Sequence, residues 1–256
     1  IEDLRSQRPP GLPSPRRCVI AHVREPRNVV VRNVDRPGLE TVDQFAPIGT
    51  STVHEAIERR GYLGPDITPI QKGVKIAGTA ITVLNMPGDN GMIHAAIEQC
   101  QRGDILVVAN TAPSTHGMFG DLLGTSLMAR GVRGLVIDAG VRDSFDLRKM
   151  GFPVWSRYVS CQGTVKNSPG SVNVSVSIEG RVVNPGDVIC ADDDGVVVVA
   201  REEAEWALNQ SVERLTKEKA IRSRLVDGEL GLDFYGLRDK LLDLGVELVD
   251  SLDDLD

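Results

Sequence analysis

Between Lys75 and Val154, short apolar runs alternate with segments of helical length, and each run is just long enough for one buried strand. Strands that are apolar on both faces and separated by helices read as α/β architecture with at least some parallel pairing. Lys75 to Leu84, rich in Ile, Val and Thr, reads as the first such strand. Met86-Pro87-Gly88-Asp89-Asn90 is a turn cluster, with Asn90 placed to cap a helix from about Met92 to Gln101. Ile105 to Ala109 is the next strand, and the loop Asn110 to Phe119 leads to a helix from about Asp121 to Arg130, stopped by Gly131. Gly134 to Asp138 reads as a buried strand followed by the turn Ala139-Gly140-Val141. Ser144 caps a helix through Met150, and Val154 begins another strand. Upstream, Val29 to Val34 alternates weakly as a strand would, and Ser51 to Arg60 reads as a helix with Ser51 as N-cap.

After Gln162 the pattern changes to closely spaced strands: Ser171 to Ile178, Arg181 to Val183, Val188 to Ala191 and Val196 to Ala200. Gly and Pro-Gly turns separate them, Asn184-Pro185-Gly186-Asp187 being the clearest. Two helices follow, an amphipathic one from Glu202 to Leu225 and a shorter one from Phe234 to Leu244; helices this far from a β core commonly pack onto neighbouring subunits. Residues 1–28 hold five prolines and six arginines and are expected to form an extended arm. The main domain is expected over 29–248 and an acidic tail over 249–256.

Composition narrows the function classes. The net charge of −7 repels phosphate backbones and argues against general nucleic-acid binding. No uncharged run approaches the ~18 residues of a membrane span, and no apolar stretch near the start suggests a secretory signal. Cys18, Cys100, Cys161 and Cys190 are scattered without a C-x-x-C pair, which suits free thiols in a reducing cytoplasm rather than a zinc site or a disulfide framework. Neither a dinucleotide glycine fingerprint, a P-loop nor a G-x-S-x-G elbow is present.

The densest chemical signal runs from Gly120 to Asp143. Gly120-Asp121-Leu122-Leu123-Gly124 sits where a loop becomes a helix, and the unpaired N–H groups there suit a carboxylate or phosphate. Arg142-Asp143 follows a buried strand, the end of which is where α/β proteins place ligands. Two carboxylates and one guanidinium at such a place suit a hard divalent cation and an anionic ligand. The same residues also read as two helix caps and an ordinary ion pair. Asp192-Asp193-Asp194, superficially a metal cluster, reads better as a tight turn before Gly195.

The stretch GDLLGTSLMARGVRGLVIDAGVRD, Gly120 to Asp143, resembles the signature of the class II pyruvate aldolases that cleave 4-hydroxy-4-methyl-2-oxoglutarate and 4-carboxy-4-hydroxy-2-oxoadipate. That signature is an Asp, twenty residues, then Arg-Asp. PGDN (87–90), IHAAIEQ (93–99), GFPVWSR (151–157), GTVKN (163–167), NPGDVICADDDGVVVV (184–199) and GELGLDFYGLR (228–238) extend the resemblance over about 29–248. It implies a mixed-sheet α/β sandwich similar to the swivelling phosphohistidine-type domain, with C-terminal helices. It further implies a homotrimer or homohexamer with active sites between subunits. By the same resemblance Asp143 binds Mg²⁺ or Mn²⁺ directly and Asp121 binds it through water. Arg142 and the backbone of Gly120, Asp121, Leu122 and Leu123 hold the pyruvyl portion of an oxo-acid substrate. Asn90, His94, Lys166, Glu55 and Glu218 match further site-lining positions, some donated by a neighbour. Read locally, each of these five has an ordinary structural explanation: a cap, a core histidine or a solvated charge.

The implied reaction is retro-aldol cleavage to pyruvate and oxaloacetate, or to two pyruvates, with oxaloacetate decarboxylation as a side activity. The GFPVWSR and GTVKN matches incline the expectation to 4-carboxy-4-hydroxy-2-oxoadipate and to protocatechuate or gallate breakdown. The alternative on the same scaffold is a ribonuclease-binding regulator without catalysis.

Overall fold

The computed structural model describes residues 28–251. All but the last residue of the expected arm, and residues 252–256 of the acidic tail, lie outside this range. The strands are β1 (Thr68–Pro69), β2 (Ile76–Asn85), β3 (Asp104–Asn110), β4 (Gly117–Phe119), β5 (Gly134–Val141), β6 (Val154–Val159), β7 (Ser171–Val172), β8 (Val176–Ile178), β9 (Arg181–Val183), β10 (Val188–Asp192) and β11 (Gly195–Val199). The helices are α1 (Leu39–Asp43), α2 (Thr50–Ala56), α3 (Gly91–Ile97), α4 (Asp121–Ala129), α5 (Ser144–Lys149), α6 (Ala204–Val226), α7 (Gly231–Phe234) and α8 (Leu237–Asp243).

The chain folds as the mixed α/β structure its alternating pattern requires. One nine-stranded sheet runs in the order β1-β6-β5-β3-β2-β10-β11, with β4 added to β5 and β7 to β2. The β2-β3-β5-β6 centre is parallel, while β1, β7, β10 and β11 pair antiparallel. Side chains alternate between the two faces of the central strands. Ile81, Val83, Leu106, Val108, Leu135 and Ile137 face α3, α4 and α5, while Ala80, Ile105, Val107 and Val136 meet Ile178 and Val183 of the β8-β9 hairpin. The indole of Trp155 in β6 donates to the Asp192 carbonyl in β10 at 2.7 Å. Those strands are far apart in the sheet order, so the sheet curls until its two ends nearly meet. A third core lies between β10-β11 and helices α1, α2 and α6.

Several local expectations need correction. Among the described residues Val29 to Val34 forms a single bridge, Val30 to Val172, rather than a strand; Val34 packs on the core while residues 30–33 are exposed. Ser51 lies inside α2 and does not cap it; Asp192 reaches across from β10 and accepts from the Thr50 N–H at 2.9 Å and the Thr50 hydroxyl at 2.5 Å. The bland reading of the Asp192–Asp194 turn holds, with Asp193 accepting from Gly73 N–H and Asp194 from the Ser51 hydroxyl. Ala139 to Val141 continues β5 rather than turning, since β4 and β6 flank it and take up its hydrogen bonds. Ser144 is the first residue of α5 rather than its cap, and the residue at the cap position, Asp143, makes no side-chain capping bond among the described residues. The strand expected over Ser171 to Ile178 breaks into β7 and β8 around Asn173, at φ 57. The helix expected over Phe234 to Leu244 begins only at Leu237, as α8; the separate turn α7 ends at Phe234, and Gly236 between them stands at φ 64.

Asp104 opens β3 nearly fully buried, paired with both guanidinium arms of Arg36 at 3.0 Å. It also accepts from Gln101 N–H at 2.7 Å. Asp104→Ala is expected to cost about 3–5 kcal/mol of stability, because Arg36 would be left without its partner. Urea denaturation checks this; a cost below about 1 kcal/mol would show the pair to be dispensable.

Candidate active-site cleft

The parallel strands end together, and the loops that leave them form a cleft of about 100 Å³. It is lined by Asn90, His94, Met118, Gly120, Asp121, Leu122, Leu123, Arg142, Asp143 and Lys166. Nine of these ten were singled out from the sequence. Met118 was not: it belongs to β4, a strand too short for its apolar pattern to stand out within the loop expected there.

The cleft is built from three segments. Gly120 and α4 form one wall. Gly124 N–H is the first to bond back, to the Gly120 carbonyl at 3.0 Å, so the N–H groups ahead of it have no helical acceptor. Arg142 and Asp143 leave β5 for α5. Arg142 N–H is held by the Phe119 carbonyl at 2.8 Å, and its Nε lies 3.4 Å from Asp143 Oδ2. Asp143 adopts the left-handed conformation, φ 54, which a non-glycine residue occupies at a cost of order 1 kcal/mol and which clusters at functional sites. Gly120 makes room for its carboxylate: a Cβ there would stand 2.3 Å from Asp143 Oδ2.

The third segment is the PGDN turn with the 165–168 loop. Asn90 stands at the start of α3, but its side chain does not cap that helix. Its Nδ2 instead donates to the Met118 carbonyl at 3.0 Å, and its buried Oδ1 has no partner among the described residues. The cap role falls to Asp89, whose Oδ1 accepts from Gly91 N–H at 2.8 Å. Burial raises the Asp89 carboxyl, but hydrogen bonds from Gly91, Asn167 and Ser168 outweigh it and leave the group below the usual carboxylate range. His94 projects from α3. Burial first, and the positive charge of Lys166 second, hold its pKa below the ordinary imidazole value.

The neutral state of His94 can be tested directly. Its NMR titration is expected to have a midpoint below ~6.5, rising toward that value in Lys166→Met. The folded pKa is depressed, so stability from this group is complete above the unfolded pKa and declines as pH falls below it. A midpoint above ~6.5 would contradict the placement of Lys166 beside it.

Glu55 and Glu218 are not brought to this cleft within the chain. They meet each other on α2 and α6 through Arg214, which lies 2.8 Å from Glu218 and 3.5 Å from Glu55. Thr52 donates to Glu218 at 3.1 Å, and the Arg59 guanidinium holds the Glu55 carboxyl below its usual range. A groove of about 410 Å³ elsewhere is lined by Asn110, Asp138, Arg157 and Glu179. Arg157 there is already paired with Asp66, Asp138 and Glu179, so its charge is spent internally.

The donor set of the cleft fits a small hard cation. Asp121 and Asp143 supply carboxylate oxygens, Gly120 leaves a cradle beside Asp143, and Asn90 Oδ1 is an acceptor awaiting a donor such as an ordered water. Two carboxylates leave positions for waters and ligand, as Mg²⁺ and Mn²⁺ prefer.

The family model described as RraA-like, Aldolase/RraA, matches residues 50–198. A Halalkalibacterium halodurans protein, provisionally named 4-hydroxy-4-methyl-2-oxoglutarate aldolase, is 26% identical over 77% of this chain and 94% of its own. A Burkholderia multivorans protein with the same provisional name is 34% identical over 54% of this chain and 84% of its own. Among solved structures, Streptomyces coelicolor RraAS2, described as an unusual member of the RNase ES inhibitor RraA family, superposes with a TM-score of 0.67. It is 29% identical, covering 74% of this chain and 99% of that one.

Proposed function

The chain belongs to the RraA-like Aldolase/RraA family, and on that premise we propose that it is a divalent-metal-dependent aldolase acting on 4-hydroxy-2-oxo acids. The preferred substrate in this reading is 4-carboxy-4-hydroxy-2-oxoadipate, cleaved to pyruvate and oxaloacetate. The observation that carries it is the convergence of Asp121, Arg142, Asp143, Lys166 and the start of α4 on one cleft.

In this reading Asp143 would hold Mg²⁺ or Mn²⁺ directly and Asp121 would hold it through water. The cation, when bound, supplies Lewis-acid polarisation of the 2-oxo group. Arg142 grips the adjacent carboxylate with two hydrogen bonds, and the first turn of α4 offers N–H groups to the same end of the substrate. Asp121 takes up the proton of the C4 hydroxyl through the water it orients. The C3–C4 bond then breaks, its electrons forming the pyruvate enolate while the C4 oxygen becomes a carbonyl, and the proton returns along the same water to C3 to give pyruvate. Arg142 faces the developing enolate charge in a fixed position, where such stabilisation accelerates most. Lys166 takes a carboxylate at the far end of the substrate. No Schiff base is required of it.

Glu55 and Glu218, fixed by Arg214 but away from their own cleft, complete the cleft of a second copy in a trimer or hexamer. The reading places the protein in the cytoplasm, in aromatic-acid breakdown.

The test is pyruvate release from 4-carboxy-4-hydroxy-2-oxoadipate with Mg²⁺ and then with excess EDTA, beside the 4-methyl analogue and oxaloacetate. Chelator-sensitive turnover is expected, fastest on the tricarboxylate. A folded protein that turns over none of the three with either metal would overturn the aldolase reading.

A further inference from the structure

Lys166 stands in an otherwise irregular loop, yet the backbone on both sides of it is tied down. Val165 exchanges two hydrogen bonds with the PGDN turn: its N–H donates to Gly88 and its carbonyl accepts from Asn90, each at 3.0 Å. On the other side, Asn167 and Ser168 donate their N–H groups to Asp89 Oδ2, at 2.6 and 2.7 Å. The other oxygen of the same carboxylate takes Gly91 N–H, the first N–H of α3. Asp89 is only 2% exposed. It therefore neither meets solvent nor lines the cleft; its carboxylate accepts from the backbone N–H groups of Gly91, Asn167 and Ser168 and from the Ser168 side chain.

We propose that Asp89 is a positioning residue: its carboxylate straps the 165–168 loop to the start of α3 and so fixes where Lys166 stands in the cleft. A lysine on a free loop would sample many positions, and each substrate capture would carry the ordering cost. Held between Val165 and Asn167, only the side chain remains to be ordered. The same carboxylate fixes the start of α3, so Lys166, Asn90 and His94 share one anchor. An uncharged residue of similar size would keep the shape but weaken the charge-assisted bonds. The role assigned to Lys166 rests on the proposed aldolase reading; the strap itself does not.

The experiment uses full-length Asp89→Asn, with Asp89→Ala as the second variant, in two arms. In the first, hydrogen exchange at Gly91, Asn167 and Ser168 is expected to quicken at least ~10-fold, while β3 and β5 amides stay unchanged. Unchanged exchange at those three amides would overturn the strap, as would faster exchange throughout the core, which would make Asp89 a general stabiliser. In the second arm, Asp89→Asn is expected to raise KM for the tricarboxylate ~10-fold with kcat altered less than ~3-fold. On a Lys166→Met background the further rise in KM should fall well below ~10-fold, leaving only what Asp89 contributes through Asn90 and His94. Full additivity of the two substitutions would overturn the action through Lys166. Absence of turnover in the wild type would instead sink the aldolase reading, and the exchange arm would then decide the strap alone.

Discussion

Asp143→Ala is expected to reduce tricarboxylate cleavage at least ~10²–10³-fold while leaving the fold intact, the size of effect produced by removing one preorganised charged group from a reacting centre. The argument is local. Asp143 sits at φ 54 with its carboxylate in the space beside Gly120, an arrangement with no evident structural return. Among the described residues its side chain makes no capping bond to α5, and its one ion pair, with Arg142, is loose at 3.4 Å. Alanine tolerates the left-handed backbone less well than aspartate, so thermal stability should fall slightly while activity collapses. Steady-state rates at saturating Mg²⁺, read beside the melting temperature, check both halves. Retention of more than about a tenth of the activity would remove Asp143 from the metal. A large fall in melting temperature would make it a structural residue.

The second large effect is expected from one methyl group. Gly120→Ala would put Cβ 2.3 Å from Asp143 Oδ2 and 3.3 Å from Arg142 Nε. The backbone at Gly120 is extended, φ −149, so alanine is conformationally acceptable and the cost is purely a collision. Asp143 must move by about an ångström, and displacements of that size cost ~10²-fold in rate. Because the displaced group is partly exposed, stability should fall by less than about 1 kcal/mol. Activity near wild type in Gly120→Ala would mean that the carboxylate position is not critical.

The sequence announced the parallel centre and most of the cleft, for a physical reason: both are written in local pattern. Runs such as Ile105 to Ala109 are apolar on both faces and cannot be anything but buried. Gly120 to Leu123 and Arg142-Asp143 lie at element ends, where helix starts and strand ends declare themselves. What remained hidden depends on distant partners. Ser51 was the obvious cap of α2, but Asp192, remote in sequence, supplies that bond. Asn90 and Asp89 are adjacent and equally suited to a turn, and nothing local says that Asp89 bonds the backbone while Asn90 Oδ1 stays unpartnered. The positions of Glu55 and Glu218 follow from the packing of α2 on α6, which periodicity cannot reveal.

Strand β2 also sets an order of events during synthesis. β2 is hydrogen-bonded on one side to β3, which follows it closely, and on the other to β7 and β10, both made much later. A ribosome that has released only the first half of the domain has exposed a long, apolar strand with one bare edge. Such an edge invites pairing with other chains. Non-local closure of this kind slows folding. The nascent protein would thus depend on chaperones until β10 and β11 emerge, and stalled or truncated chains ending before Val188 should aggregate rather than fold.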